Sequence, residues 1–143
     1  MVRYKKVLAG GVFNVVHPGH ELFLKKAKEL GSYLVVVIAN DKTAKRTKPY
    51  KILPHGERRR NVESLGIADK VVIGDERDLL KVVREERPDV IALGYDQKAE
   101  EQKLARLLAE EGINCAIKRI HERLEGYKAS NIIKNRKIGK NKN

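Results

Sequence analysis

The segment Tyr33-Leu34-Val35-Val36-Val37-Ile38 limits what this chain can fold into more than any other stretch of it. Its six apolar residues run without a polar break, and four of them are β-branched. A strand with one face in water would alternate apolar and polar residues, so this run predicts a strand covered on both faces, the usual state of a strand inside a parallel sheet. Parallel strands cannot be joined by tight turns. The chain must therefore supply crossover segments, normally helices, on either side of this one.

The rest of the sequence supplies them. Lys6-Val7-Leu8-Ala9 reads as a short buried strand that runs into Gly10-Gly11, where the backbone can turn sharply. From 18 to 30, Leu22, Phe23, Ala27 and Leu30 recur at helical spacing, with Pro18 in the first turn and Gly31 just past the end. A polar, basic loop is predicted over 40–51, then a helix over 56–65 and a strand over 70–73. A helix over 78–86 and a strand over 90–93 follow, separated by Pro88, and then a helix over 100–111, a strand over 114–119 and a basic C-terminal helix. Strands alternating with helices predict an α/β fold: a single Rossmann-like domain over residues 1–143, with a parallel five-stranded sheet and helices on both faces. The Lys- and Asn-rich stretch 134–143 is a basic tail on that domain.

Composition narrows the class of partner. Thirty-one Lys and Arg against 19 Asp and Glu leave a formal charge of +12, which favours anionic ligands. The single cysteine, Cys115, excludes an internal disulfide framework and a cysteine-rich zinc site, and a buried free thiol is expected there. No apolar run approaches membrane-spanning length and none near the start has the form of a signal peptide, so the expected setting is cytoplasmic, with no membrane partner.

In a doubly wound sheet, ligands bind beyond the carboxyl ends of the strands, which directs attention to the loop after the first one. It reads Gly10-Gly11-Val12-Phe13-Asn14-Val15-Val16-His17-Pro18-Gly19-His20. Glycine lets the backbone approach a phosphate chain, and the helix starting near Pro18 aims free amides at the same place. His17 and His20, three residues apart at that helix start, can donate hydrogen bonds to phosphate oxygens whose charge grows in a transition state.

This loop resembles the first signature of the cytidylyltransferase-like nucleotidyltransferases, Gly-(Thr/Val)-Phe-Asp followed by His-x-Gly-His. His17-Pro18-Gly19-His20 matches it in full, and Asn14 stands where the family usually has Asp. The resemblance implies nucleotide contacts from Gly11, Val12, Phe13, His17, Pro18, Gly19 and His20. It extends to the basic run 42–48, where Lys45 and Lys48 are candidates to reach phosphate, and to Arg58 in the helix after Pro54, which corresponds to a family arginine that meets phosphate. Gly94-Tyr95-Asp96-Gln97 resembles the family's Gly-x-Asp loop near the nucleoside, and the run from Arg123 to Ile133 resembles its last, phosphate-binding helix start, with Tyr127 and Ser130 as contacts. In that last run Ala129 and Asn131 replace hydroxyl residues.

The chemistry so implied needs no protein nucleophile. An acceptor phosphate attacks the α-phosphate of a nucleoside triphosphate and pyrophosphate leaves, with His17 and His20 as donors, Lys45 and Arg58 as charge clamps, and Mg²⁺ accompanying the triphosphate through no protein ligand that the sequence identifies. The chain most resembles the archaeal FAD synthases, which implies ATP and FMN as substrates. Glycerol-3-phosphate cytidylyltransferases, through Arg123-Leu124-Glu125-Gly126, and heptose-phosphate adenylyltransferases, through the first loop, are the alternatives. A homodimer is also expected from the resemblance. A basic nucleic-acid-binding module is the reading of another class; few aromatic residues and no recognisable binding motif argue against it.

Overall fold

A computed structural model describes residues 3–122 of the chain. Five parallel strands form one sheet in the order β3-β2-β1-β4-β5. In chain order the elements are β1 (Tyr4–Gly11), α1 (Pro18–Glu29), β2 (Gly31–Ile38), α2 (Asp41–Thr47), α3 (His55–Glu63), β3 (Lys70–Ile73), α4 (Lys81–Glu86), β4 (Val90–Gly94), α5 (Lys98–Glu110) and β5 (Ala116–Ile120).

The sheet is covered on both faces, as the β2 run requires. Successive residues of a strand point to opposite sides. Val7, Ala9, Leu34, Val36, Val90 and Ala92 accordingly enter one core with Leu24 and Ala27 of α1 and Val62 of α3. Leu8, Val35, Ile91 and Leu93 enter the other with Val82 and Val83 of α4 and Leu108 of α5. Each of the three inner strands therefore feeds two cores, and none can be turned over without emptying both.

Strand ends follow local chemistry more closely than periodicity does. Gly31 was expected to close α1 but instead starts β2, and Leu30 caps the helix. A Cβ at position 31 would lie 2.4 Å from the carbonyl oxygen of Tyr4, so only glycine lets β2 begin that close to β1. The basic segment expected as a loop contains the helix α2. Its N-cap is Asn40, whose side chain accepts from the Thr43 amide at 2.8 Å and donates to the Asp75 carbonyl at 3.1 Å. Ala44 is fully buried, but a single apolar residue is too little patterning to announce a helix in the sequence. Cys115 is half-buried beside the second core rather than enclosed, because it lies in the loop before β5. The C-terminal helix expected from the sequence, and the tail, lie outside the described residues.

Candidate nucleotide-binding site

Strand order fixes where the site must be. From β1 the chain winds outward through β2 to β3, then returns to place β4 on β1's other side, so the order reverses between β1 and β4. The loops leaving those two strands border one crevice.

The loop after β1 is built around Phe13. Its φ is 51°, in the left-handed region where a non-glycine residue is strained, and its ring is 3% exposed. The ring lies where a side chain at position 11 would be: a Cβ on Gly11 would fall 2.9 Å from Phe13 Cε2. The ring also meets the imidazole of His20, centroids 5.3 Å apart and tilted by 57°.

His17 and His20 form the head of α1, and backbone amides at that helix start fix the tautomer of each. His17 is the N-cap, and its Nδ1 accepts from the Gly19 amide at 3.1 Å. His20 Nδ1 accepts from the His17 amide at 3.3 Å. A neutral imidazole that accepts at Nδ1 carries its proton on Nε2, so both rings are Nε2–H donors. The rings stack with centroids 3.8 Å apart. Burial lowers the pKa of His17, and burial first, then the proximity of His17 and of Lys48, pushes that of His20 down to about 3. At neutral pH the helix therefore carries a pair of uncharged donors, which suits a site that must hold anionic oxygens without binding protons in competition.

The basic segment reaches the same loop. Lys48, the C-cap of α2, acts on His20 electrostatically, while Lys45 is exposed in the last turn of the same helix. Arg58 requires a correction. The expected phosphate clamp is wholly buried, with its donors turned inward: Nε to the Leu53 carbonyl at 2.8 Å, Nη1 to the Val12 carbonyl at 2.9 Å and Nη2 to Asp41 Oδ1 at 2.7 Å. The planar guanidinium presents its donors in a fixed fork, and here three acceptors converge on it. Arg58 thus supports the loop from beneath rather than meeting a ligand. Asp41 completes the support, since its other oxygen lies 3.1 Å from His55 Nδ1.

After β4, Gly94 is followed by a turn in which the Gln97 side chain accepts from the Gly94 amide at 2.7 Å, and Arg119 donates to the Tyr95 carbonyl at 3.1 Å. Asp96 is exposed in this turn. Tyr127 and Ser130 lie outside the described residues. Sequence reasoning missed Asp41 and the structural part played by Asn14, whose side chain bonds to backbone 37 and 39 residues further along the chain. No local pattern signals such distant partners.

A strand end of this kind can grip the phosphate chain of a nucleotide, and the class it defines is that of the nucleotide-binding α/β domains. Comparison with known proteins carries this further: residues 8–135 match the family described as cytidylyltransferase-like. The chain belongs to that family and is an enzyme, a nucleotidyltransferase. It is 48% identical over 116 residues to an FAD synthase of Ferroglobus placidus, covering 81% of this chain and 76% of that one. It is 44% identical over 131 residues to an FAD synthase of Archaeoglobus profundus, covering 90% and 84%. Among solved structures, a lipopolysaccharide core biosynthesis protein of Thermoplasma volcanium superposes with a TM-score of 0.78 at 39% identity, over 85% of this chain and 99% of that one. A pantoate-beta-alanine ligase of Francisella tularensis, at 17% identity and a TM-score of 0.62 over 92% of this chain and 65% of that one, shares the fold.

Proposed function

We propose that this nucleotidyltransferase is an FAD synthase that transfers AMP from ATP to FMN and releases pyrophosphate. The observation that carries the reading is the likeness to archaeal FAD synthases at 48% and 44% identity over most of the chain. The loop geometry is consistent with it.

In this mechanism a terminal phosphate oxygen of FMN attacks the α-phosphorus of ATP. A new P–O bond forms, the bond to the bridging oxygen of the β-phosphate breaks, and its electron pair leaves with pyrophosphate. His17 and His20 donate from Nε2 to phosphate oxygens as charge develops, and contacts from Gly11, Val12, Phe13, Pro18, Gly19 and Asp96 position the nucleotide. Lys45 and Lys48 offset the charge of the triphosphate and the acceptor. Tyr127 and Ser130 retain the nucleotide-binding roles that the resemblance implies.

Mg²⁺ enters as part of the triphosphate substrate. Among the described residues no group of three or more His, Cys, Asp or Glu is placed to hold a metal, and the head of α1 presents neutral imidazoles. No step assigned to the chain's residues depends on the ion. A homodimer acting in the cytoplasm completes the proposal; among the described residues no helix is long and apolar enough to cross a membrane.

The test is to supply ATP or CTP, with Mg²⁺, together with FMN, glycerol 3-phosphate or a heptose phosphate, and to measure pyrophosphate. ATP with FMN is the expected pair. A clear preference for CTP with glycerol 3-phosphate would refute the FAD synthase assignment while leaving the enzyme class intact.

A further inference from the structure

We infer that Asn14 is a positioning residue whose neutral amide locks the segment before α3 onto the phosphate loop, work that the carboxylate usual at this place in the family cannot do in full. Asn14 is 4% exposed. Its Nδ2 donates to the Lys51 carbonyl at 2.8 Å and its Oδ1 accepts from the Leu53 amide at 2.7 Å, so one side chain takes both polar groups that the segment turns toward it. The other side of Leu53 is held as well, because its carbonyl accepts from Arg58 Nε at 2.8 Å while Arg58 Nη1 reaches back to the Val12 carbonyl at 2.9 Å. Asn14 and Arg58 thereby tie residues 51–53 to the two sides of Phe13, the residue held at a φ of 51°.

An ionised aspartate at position 14 keeps the bond from Leu53 but sets an oxygen against the Lys51 carbonyl, where a donor is required. Protonated, the same carboxyl regains a donor. The charged and titratable groups tied to this cluster are Lys51 and Arg58, which share the 51–53 segment with Asn14, and Asp41 and His55, joined behind Arg58.

This inference rests on the enzyme turning over a nucleotide and an acceptor, so the wild type is assayed first with ATP and FMN. Failure there counts against the substrate reading alone, and the comparison then uses whichever pair the wild type accepts. Asn14→Asp is expected to lower kcat about tenfold at pH 8, the scale of one hydrogen bond left unmade, with circular dichroism unchanged. The ratio of wild-type to variant kcat is expected to shrink as the pH falls toward 5, and Asn14→Leu is expected to lose activity at every pH. Amide hydrogen exchange on the unmodified enzyme supplies a readout independent of activity and of any variant's folding: the Leu53 amide is expected to be protected. A kcat ratio near one at pH 8, a ratio that does not change with pH, or a Leu53 amide exchanging at the rate of an open loop would each overturn the inference.

Discussion

Arg58 donates from Nη1 to the carbonyl of Val12 across 2.9 Å, joining residues 46 positions apart. The same guanidinium holds Asp41 at the start of α2, so one buried cation spans the phosphate loop and the helix that carries Lys45. Arg58→Ala leaves two carbonyls and a carboxylate without their donor, and a loss of about 2–4 kcal/mol is expected in urea denaturation. Arg58→Lys should recover part of it but not all, because an ammonium cannot reproduce the planar fork. A loss below about 0.5 kcal/mol for Arg58→Ala would show that the fork carries no weight, since changes of that size are ordinary for exposed sites.

His17→Ala and His20→Ala are each expected to lower turnover by about 10²-fold or more, the scale for removing one transition-state donor. Pyrophosphate release at saturating substrate measures it. Near-normal turnover in both would remove the histidines from the reaction.

The lowered histidine pKa values make a pH dependence of stability. An unfolded histidine takes up its proton near pH 6.5, whereas folded His20 does so only near 3. Between these values the unfolded chain holds the extra proton, so the native state is favoured fully above 6.5 and loses that advantage as the pH falls. The slope for this residue approaches about 1.4 kcal/mol per pH unit. Depressed carboxyls act in the same direction but at lower pH: Asp69 is held below the ordinary range chiefly by Lys28, and Glu86 chiefly by Lys70. Melting temperature should therefore fall already between pH 6.5 and 5, and His20→Gln should flatten the curve in that interval. An unchanged curve for the variant would contradict the assignment.

Lys45→Ala and Lys48→Ala are expected to raise KM for the triphosphate or the acceptor, while Arg60→Ala, exposed on α3, leaves it nearly unchanged. Initial rates across both substrate concentrations separate the cases. Equal effects at all three positions would indicate a diffuse positive field rather than placed cations.

Burial pushes the Cys115 thiol up to about 11, with Asp89 adding to it, so little thiolate exists at neutral pH. Alkylation by iodoacetamide is expected to be slow on the native protein and fast after denaturation.

Much of this architecture was legible because its signals are local. The β2 run states that both faces are covered, and Lys70–Ile73 appears as the strand that its apolar residues suggested. The two histidines and the glycine end of β1 could be placed for the same reason. What escaped depends on distant partners or on weak patterns. The helix α2 is held by a cap and a buried alanine, and Arg58, singled out by resemblance as a phosphate clamp, turns inward while Arg59 and Arg60 are exposed. The run Glu57-Arg58-Arg59-Arg60 set Arg58 apart by resemblance but gave no sign that its donors turn inward. That is decided by the carbonyls of Val12 and Leu53, which only the folded chain brings together.

The ring of Phe13 fills the volume that a side chain at Gly11 would need. The two positions consequently share one allotment of space and are not free to vary independently. A larger residue at 11 demands a smaller one at 13, and the smaller one would withdraw the aromatic wall against which His20 rests. Substitution at this strand terminus would thus be felt at the imidazole as well as at the glycine's own position, because the ring between them has no other place to go.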